Sequence, residues 1–166
     1  MKKNTRFLLT FFGVLVIGYV IITLRPVNDR VIVPFTHGVA EVSGHALRWI
    51  GQDVTITGTV IGSTRFAVDI HNGCNGVEAM LILIAAIGAF PAASIRARVL
   101  GVLIGAVALQ AINIVRIVSL YLLGRYDPQH FQMFHTGVWQ VLIIAVSIAI
   151  FLFWSVRFAG PREARP

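Results

Sequence analysis

Hydrophobic residues in this chain are gathered into long runs instead of recurring at the short period of a soluble helix or strand. Four runs reach or approach the ~20 apolar residues that an α-helix needs to cross a bilayer. They lie at residues 7–24, 77–93, 99–123 and 136–158. The pattern therefore predicts an all-α integral membrane protein, a single domain with four transmembrane helices.

The longest interval between these runs, residues 25–76, has a pattern of its own. Its first half carries apolar residues at helical spacing: Phe35, Val39, Val42, Ala46 and Ile50. This spacing predicts an amphipathic helix that lies on the membrane or on the bundle. Alternating residues at 54–57 and 65–70, on either side of a Gly62-Ser63-Thr64 turn, predict a small β-hairpin.

The composition agrees with a membrane protein. Of the 166 residues, 57% are hydrophobic and only 13% are charged, whereas roughly a quarter of the residues of a soluble domain are charged. The net charge of +7 does not point to nucleic acid, because the basic residues are concentrated at the chain ends and in one short loop. These residues are Lys2, Lys3, Arg6, Arg96, Arg98, Arg157, Arg162 and Arg165.

The positive-inside rule gives this charge distribution an orientation. Both termini are expected in the cytoplasm, in the inner (plasma) membrane of the cell. Residues 25–76 and the short loop 124–134 then face the periplasm. The first run begins like a secretion signal, but it is long for one and no small-x-small cleavage site follows it. We therefore expect residues 7–24 to remain as a membrane span.

Cys74 is the only cysteine and stands where the polar interval meets the second run. A single thiol excludes an internal disulfide and a dithiol relay, and the histidines have no metal-ligand spacing, so no metal and no cofactor is expected. Asn75 and Glu78 have the spacing of a capping box with Asn75 as N-cap. The helix dipole would then lower the pKa of the thiol, and Gly76 allows close approach of another chain. The alternative is a buried cysteine that acts only as a small hydrophobe.

Two further reactive side chains are predicted at the outer end of the bundle. Arg116 lies within the third run, where a charge is costly unless it is paired or faces a cavity. Gln110 and Asn113 precede it at three-residue steps and form a polar seam with it. His135 opens the fourth run. The alternative interpretation of Arg116 is a side chain that snorkels to the interface.

These residues resemble the signature of the exosortase/archaeosortase family of integral-membrane cysteine transpeptidases. The matching elements are Cys74-x-Gly76 opening a span, Asn113-x-x-Arg116 within a span, and His135 at the start of the next. The resemblance covers roughly residues 72–154 and is closest to the short form called exosortase H.

The resemblance implies a reaction and a set of roles. Cys74 would attack the scissile carbonyl and form a thioester, with His135 as base or acid. Arg116 would stabilise the oxyanion, helped by N–H groups near Asn75 and Gly76, and Asn113 would orient Arg116 or the substrate. The implied partners are exported proteins that end in a short motif, a transmembrane helix and a basic tail. The acceptor molecule stays open.

Two other functions fit the same pattern of residues. A non-catalytic membrane docking or assembly protein would use the amphipathic helix and the hairpin, and Cys74 would be dispensable. A small transporter subunit would use Gln110, Asn113 and Arg116 along a pathway, again without need of the thiol. The absence of an internal repeat makes a transporter the weaker of the two.

Overall fold

The computed structural model describes residues 3–158. Lys2, Arg162 and Arg165, which contributed to the predicted orientation, lie outside the described residues. The elements in chain order are α1 (Lys3–Thr23), α2 (Arg25–Val27), a π-helical segment π1 (Asn28–Ile32), α3 (Val33–Trp49), β1 (Thr55–Thr57), β2 (Val60–Gly62), β3 (Ala67–Asp69), α4 (Val77–Ala89), α5 (Ile95–Tyr126), α6 (Pro128–Gln132), a second π-helical segment π2 (Met133–Val138) and α7 (Trp139–Phe158).

Three helical stretches in the described part of the chain are long and apolar enough to cross a membrane. They are Asn4–Thr23, Ile95–Tyr126 and Pro128–Phe158. Their apolar side chains are largely exposed, as in α1, where Leu9, Val16 and Ile17 are each at least 60% exposed. Such surfaces are stable in lipid and costly in water, so these helices indicate a membrane protein.

The fourth predicted span is shorter than expected. Helix α4 contains 13 residues and is about 20 Å long, too short for a hydrocarbon core of about 30 Å. It ends because Phe90, with ψ of 112°, precedes Pro91, and helical geometry is disfavoured for the residue before a proline. Four full spans are therefore not confirmed.

Helix α4 packs inside the bundle formed by the longer helices. Leu83 and Ile87 of α4 share a buried cluster with Leu109 of α5 and Ile143 of α7. The helices approach closely at small residues, since a Cβ on Gly105 would collide with Leu83. Contact through small residues is typical of helix packing in membranes.

Residues 25–76, called the cap segment here, have a second hydrophobic core. Helix α3 supplies Val39, Ala40 and Leu47 to it, and α5 supplies Ile117 and Tyr121. The predicted hairpin is a three-stranded antiparallel sheet of order β1-β2-β3. The strand that precedes the predicted turn is thus β2, while residues 55–57 pair with β2 and not with residues 67–69.

The amphipathic helix of the cap segment is present, and of its predicted apolar positions only Val39 is buried within the protein. Val39 is buried, whereas Phe35, Val42 and Ile50 are exposed. The buried face uses small residues such as Thr36 and Ser43, because the sheet lies close to this side of α3. A Cβ on Gly44 would collide with Ile56 of β1.

Helix α5 connects the two cores. Its 32 residues extend about 48 Å, which exceeds the thickness of the hydrocarbon core. Its first half packs in the membrane bundle and its last third packs on the cap segment. The predicted loop at residues 124–134 is mostly helical, with only Asp127 between α5 and α6.

Candidate active site

The turn that carries Cys74 is held at the junction of the two cores by three side chains of α5. Gln110 Nε2 donates to the carbonyl oxygen of Asn75 at 3.0 Å, and Asn113 Nδ2 donates to that of Cys74 at 3.1 Å. Arg116 Nη1 lies 3.4 Å from the carbonyl oxygen of Gly73. The polar seam therefore binds three successive carbonyl groups, one for each of its members.

This arrangement determines where the backbone N–H groups of the turn point. In a trans peptide the N–H is opposed to the preceding C=O, so the N–H groups of Asn75 and Gly76 point away from α5. Neither finds a hydrogen-bond acceptor among the described residues. Two free donors thus lie directly after the thiol, an arrangement suited to binding an oxyanion.

The predicted capping box is not formed. The N-cap of α4 is Gly76, not Asn75. The side chain of Asn75 accepts a hydrogen bond from Val77 N at 3.1 Å, and Glu78 Oε1 accepts one from Gly73 N at 2.9 Å. The carboxylate therefore closes the turn in front of Cys74 instead of capping the N–H of Asn75.

Asn75 also connects the turn to the cap segment. It is fully buried, and its Nδ2 donates to Thr36 Oγ1 of α3 at 2.9 Å. Thr36 in turn donates to the carbonyl oxygen of Ile32 at 2.8 Å. The position of the thiol is thus fixed from both sides, by α5 and by α3.

Replacing Gly76 with alanine is expected to disrupt this turn. Gly76 has φ of +84° and a Cβ there would lie 2.6 Å from Gln110 Oε1, so the variant suffers both backbone strain and a collision. Gly73→Ala is the matched control, since it has φ of +89° but nothing within 4 Å of a Cβ and only the strain of roughly 1–2 kcal/mol applies. Thermal unfolding in detergent should rank Gly76→Ala below Gly73→Ala; equal stability would contradict the account of the turn.

The thiol of Cys74 is in contact with His135, which lies 61 residues later in the chain. Cys74 Sγ and His135 Nε2 are 3.0 Å apart, within hydrogen-bonding reach for sulfur. His135 lies in π2, and its ring stacks on Phe131 with centroids 5.5 Å apart. Single π-helical turns are frequent at functional sites, and here the segment carries the residue that reaches the thiol.

Arg116 is a buried cation without a carboxylate partner. It is 2% exposed, and the ion pairs found within residues 3–158 join other residues. Its contacts with Gly73 O and with Gln140 Oε1, at 3.4 and 3.5 Å, are long, and its buried Nε has no partner. A buried charge is costly unless it is compensated, and no carboxylate of residues 3–158 forms an ion pair with Arg116.

The environment of the thiol changes one prediction. Burial raises the pKa of Cys74 above its ordinary value, the positive charge of Arg116 opposes this shift, and Glu78 adds to it. The expectation that the helix start lowers the pKa of the thiol is therefore wrong for this site. Loss of water around the sulfur outweighs the favourable charge of Arg116.

The pKa of the thiol can be followed by alkylation, because Cys74 is the only cysteine in the chain. We expect the rate with iodoacetamide to rise at a higher pH than for a free cysteine, since the thiolate is the reactive form. Arg116→Gln should move the profile to still higher pH, each pKa unit lowering the thiolate fraction about tenfold. Arg125→Gln, about 14 Å further along α5, is the control. A profile that Arg116→Gln leaves unchanged would refute the proposed electrostatic coupling.

A cleft of about 250 Å³ opens onto these residues. Cys74, Arg116 and His135 all line it, together with residues 66–71 of the cap segment and Phe131. Its walls are mostly apolar and aromatic. Among residues 3–158, no group of three or more His, Cys, Asp or Glu side chains is placed to hold a metal ion.

The structure brings the predicted site residues together. Cys74, Arg116 and His135 share one cleft, and Asn75, Gly76 and Asn113 surround the same turn. Sequence reasoning missed Gln140 and Phe131, which contact Arg116 and His135. Gln140 could have been found as a polar residue inside an apolar run, whereas Phe131 carries no such signal.

Comparison with known proteins gives one match. The sequence model of a family described as transmembrane exosortase matches residues 2–153. Searches of curated proteins and of solved structures return no match. The matched range includes every residue of the cleft named above.

Proposed function

The chain belongs to the transmembrane exosortase family, and from this premise we propose that it is a membrane cysteine transpeptidase. It cleaves a C-terminal sorting signal of exported proteins and transfers the new carboxyl end to an acceptor. The observation that carries the proposal is the 3.0 Å contact between Cys74 Sγ and His135 Nε2. A nucleophile and a base within hydrogen-bonding distance are the minimal apparatus of acyl transfer.

The first half-reaction uses this pair. With its proton on Nδ1, His135 accepts the thiol proton at Nε2 while Sγ attacks the scissile carbonyl carbon. Because burial raises the pKa of Cys74, the thiol needs this base to become a nucleophile. The tetrahedral intermediate collapses when the C–N bond breaks, and the leaving amine takes the proton from His135. The product is a thioester on Cys74.

Charge on the intermediate is stabilised by donors that are free before the substrate binds. The N–H groups of Asn75 and Gly76 follow the nucleophile directly, and Arg116, whose Nε has no partner, lines the same cleft as Cys74. Removing one such donor typically costs 10²- to 10³-fold in rate. Asn113 acts as a positioning residue, since it holds the carbonyl group of Cys74 itself.

The second half-reaction regenerates the thiol. A nucleophile, either water or an amine or hydroxyl group of an acceptor, attacks the thioester. His135 takes its proton and returns a proton to Sγ as the C–S bond breaks. Across both half-reactions the moving atoms come from the thiol, the imidazole, the substrate peptide and the acceptor nucleophile.

The substrates we propose are exported proteins with a short motif, a transmembrane helix and a basic tail at the C-terminus. The apolar helix of such a signal would lie in the bilayer beside α1, α5 and α7. Both termini of the enzyme would be cytoplasmic and the cleft periplasmic, as the distribution of Lys and Arg favours. This topology would put the scissile bond outside the membrane next to Cys74.

The test is cleavage of a reporter that ends in such a signal, taken from the source genome. Co-expression with the enzyme should yield a shortened reporter whose new C-terminus, read by mass spectrometry, lies within the motif. A reporter with a scrambled motif and an unchanged helix and tail is the control. An intact reporter, with both proteins present in the membrane fraction, would argue for a docking or transport function instead.

A further inference from the structure

Strand β3 forms one wall of the cleft that contains Cys74. Six consecutive residues, 66–71, line this cleft. Side chains of successive strand residues point to opposite faces, so a cavity on one face would touch only every second residue. Contact with all three residues of β3 and with residues on either side of them indicates that the cleft runs along the edge of the strand.

This edge is free of a strand partner. The sheet has the order β1-β2-β3, so β3 pairs with β2 on one side and with no strand on the other among the described residues. Asp69 carries the only charge on the strand itself. An unpaired edge is a template for adding another extended chain.

The register shows which backbone groups are available. Ser63 N donates to Phe66 O, and Ile70 N donates to Thr59 O, while Ile61 is opposite Val68. Because bonded and non-bonded pairs alternate in an antiparallel ladder, the backbone groups of residues 66, 68 and 70 face β2. The N–H and C=O groups of Ala67 and Asp69 therefore face the open edge.

We propose that the sorting-signal segment next to the scissile bond binds in extended form as a fourth strand on β3. This inference rests on the proposed function, since it assigns the binding mode of the same substrate. The edge lies in the same cleft as the nucleophile, and a turn in which Cys74 N donates to His71 O at 2.8 Å folds the chain back after the strand. A peptide paired with Ala67 and Asp69 is thus led to the thiol.

The wall of the cleft suits such a peptide. Phe66, Ile117 and Leu120 provide an apolar surface for side chains of the added strand, and Phe66 is fixed by edge contacts with Tyr121 and Phe131. In strand addition the main-chain hydrogen bonds give affinity and the pockets for alternate side chains give specificity. The recognised motif should therefore be read at every second residue.

Capture by an inactive enzyme tests the edge without requiring chemistry. In a Cys74→Ala background, Ala67→Pro removes an N–H that faces the open edge and leaves the ladder to β2 intact, since a proline is tolerated on the outer side of an edge strand. We expect the affinity for the tailed reporter to fall about fivefold to tenfold. Asp53→Pro, in the exposed loop before β1, is the proline control and should capture normally.

A second measurement covers the case in which Ala67→Pro fails to fold. Synthetic peptides that span the motif, each N-methylated at one residue, compete for capture by the Cys74→Ala protein. Methylation at alternate residues should abolish competition, and methylation at the residues between them should not. Competition without alternation overturns the inference, as does unchanged capture by Ala67→Pro. The open edge could instead pair with β3 of a second copy of the enzyme. Light scattering tests this alternative, because such pairing would double the mass of the enzyme. A doubled mass would overturn a peptide as the occupant.

The outcomes separate this inference from the proposed function. Cleavage of the reporter by the unmodified enzyme with normal capture by Ala67→Pro would sustain the transpeptidase and refute the strand. Capture that depends on the edge, without cleavage by the unmodified enzyme, would sustain the strand and refute the transpeptidase. If the reporter is neither cleaved by the unmodified enzyme nor captured by the inactive one, both proposals are refuted.

Discussion

Replacing Cys74 with alanine is expected to reduce processing of a tailed reporter by at least about a thousandfold. The reason is that Cys74 is the only thiol in the chain, so no other side chain can form the thioester. The turn should survive the change, because it is held through the carbonyl groups of residues 73–75 and not through the sulfur. The measurement is the fraction of reporter cleaved at equal amounts of enzyme in the membrane.

Two observations complete this test. The thermal unfolding of Cys74→Ala in detergent should match that of the unmodified protein, which separates loss of chemistry from loss of fold. Adding His135→Ala to Cys74→Ala should cause no further loss, because residues that act as a unit are not additive. Normal cleavage by Cys74→Ala would remove the nucleophile and with it the proposed reaction.

The second large effect is expected from His135→Ala, which should lower the cleavage rate about 10²- to 10⁴-fold. Without the imidazole, 3.0 Å from Sγ, the thiol has lost the base that accepts its proton. Burial also raises the pKa of Cys74, which disfavours loss of the proton without a base. Raising the pH should partly restore cleavage by this variant, since hydroxide can then deprotonate the thiol. Initial rates of reporter cleavage between neutral and alkaline pH would show both effects.

His130→Ala is the matched control for this variant. His130 stands five residues earlier, is exposed, and its Nδ1 lies 2.7 Å from Asp127 Oδ2. We expect its removal to leave the cleavage rate within about twofold, as for most exposed residues away from a site. Equal losses in His130→Ala and His135→Ala would mean that the whole segment, and not the imidazole at the thiol, is required.

The membrane helices were predictable because their signal is local. A run of about 20 apolar residues is sufficient to indicate a span, and α1, α5 and α7 are such runs. The length of α4 depends on one position, since Pro91 ends the helix although the apolar residues continue to Ala93. The hydrophobic pattern therefore located α4 correctly and overestimated its length.

The cap segment was harder to predict because its elements are short and packed through small residues. Strand β2 has three residues, too few for an alternating pattern to be recognised beside the predicted turn. The buried face of α3 contains Thr36, Ser43 and Gly44, which no hydrophobic pattern selects. Close packing against Ile56 decided that face, and this depends on residues distant in sequence.

The sequence predicted which residues share the cleft, but not their geometry. Each of Cys74, Arg116 and His135 could be placed near the same end of the bundle from its position in a run. The contact between Cys74 and His135 spans 61 residues and follows from the packing of α4, α5 and π2. The contacts of Gln110, Asn113 and Arg116 with three successive carbonyl groups likewise depend on how α5 packs on the turn, which the sequence does not reveal.

The most direct test of a thioester on Cys74 is trapping with hydroxylamine. Purified enzyme in detergent is mixed with the tailed reporter in the presence of hydroxylamine, and the new C-terminus of the reporter is read by mass spectrometry. A thioester predicts a hydroxamate at that C-terminus, formed by the unmodified enzyme and absent with Cys74→Ala. Cleavage that proceeds at the usual rate and yields only the free carboxylate, at any hydroxylamine concentration, would contradict the covalent mechanism.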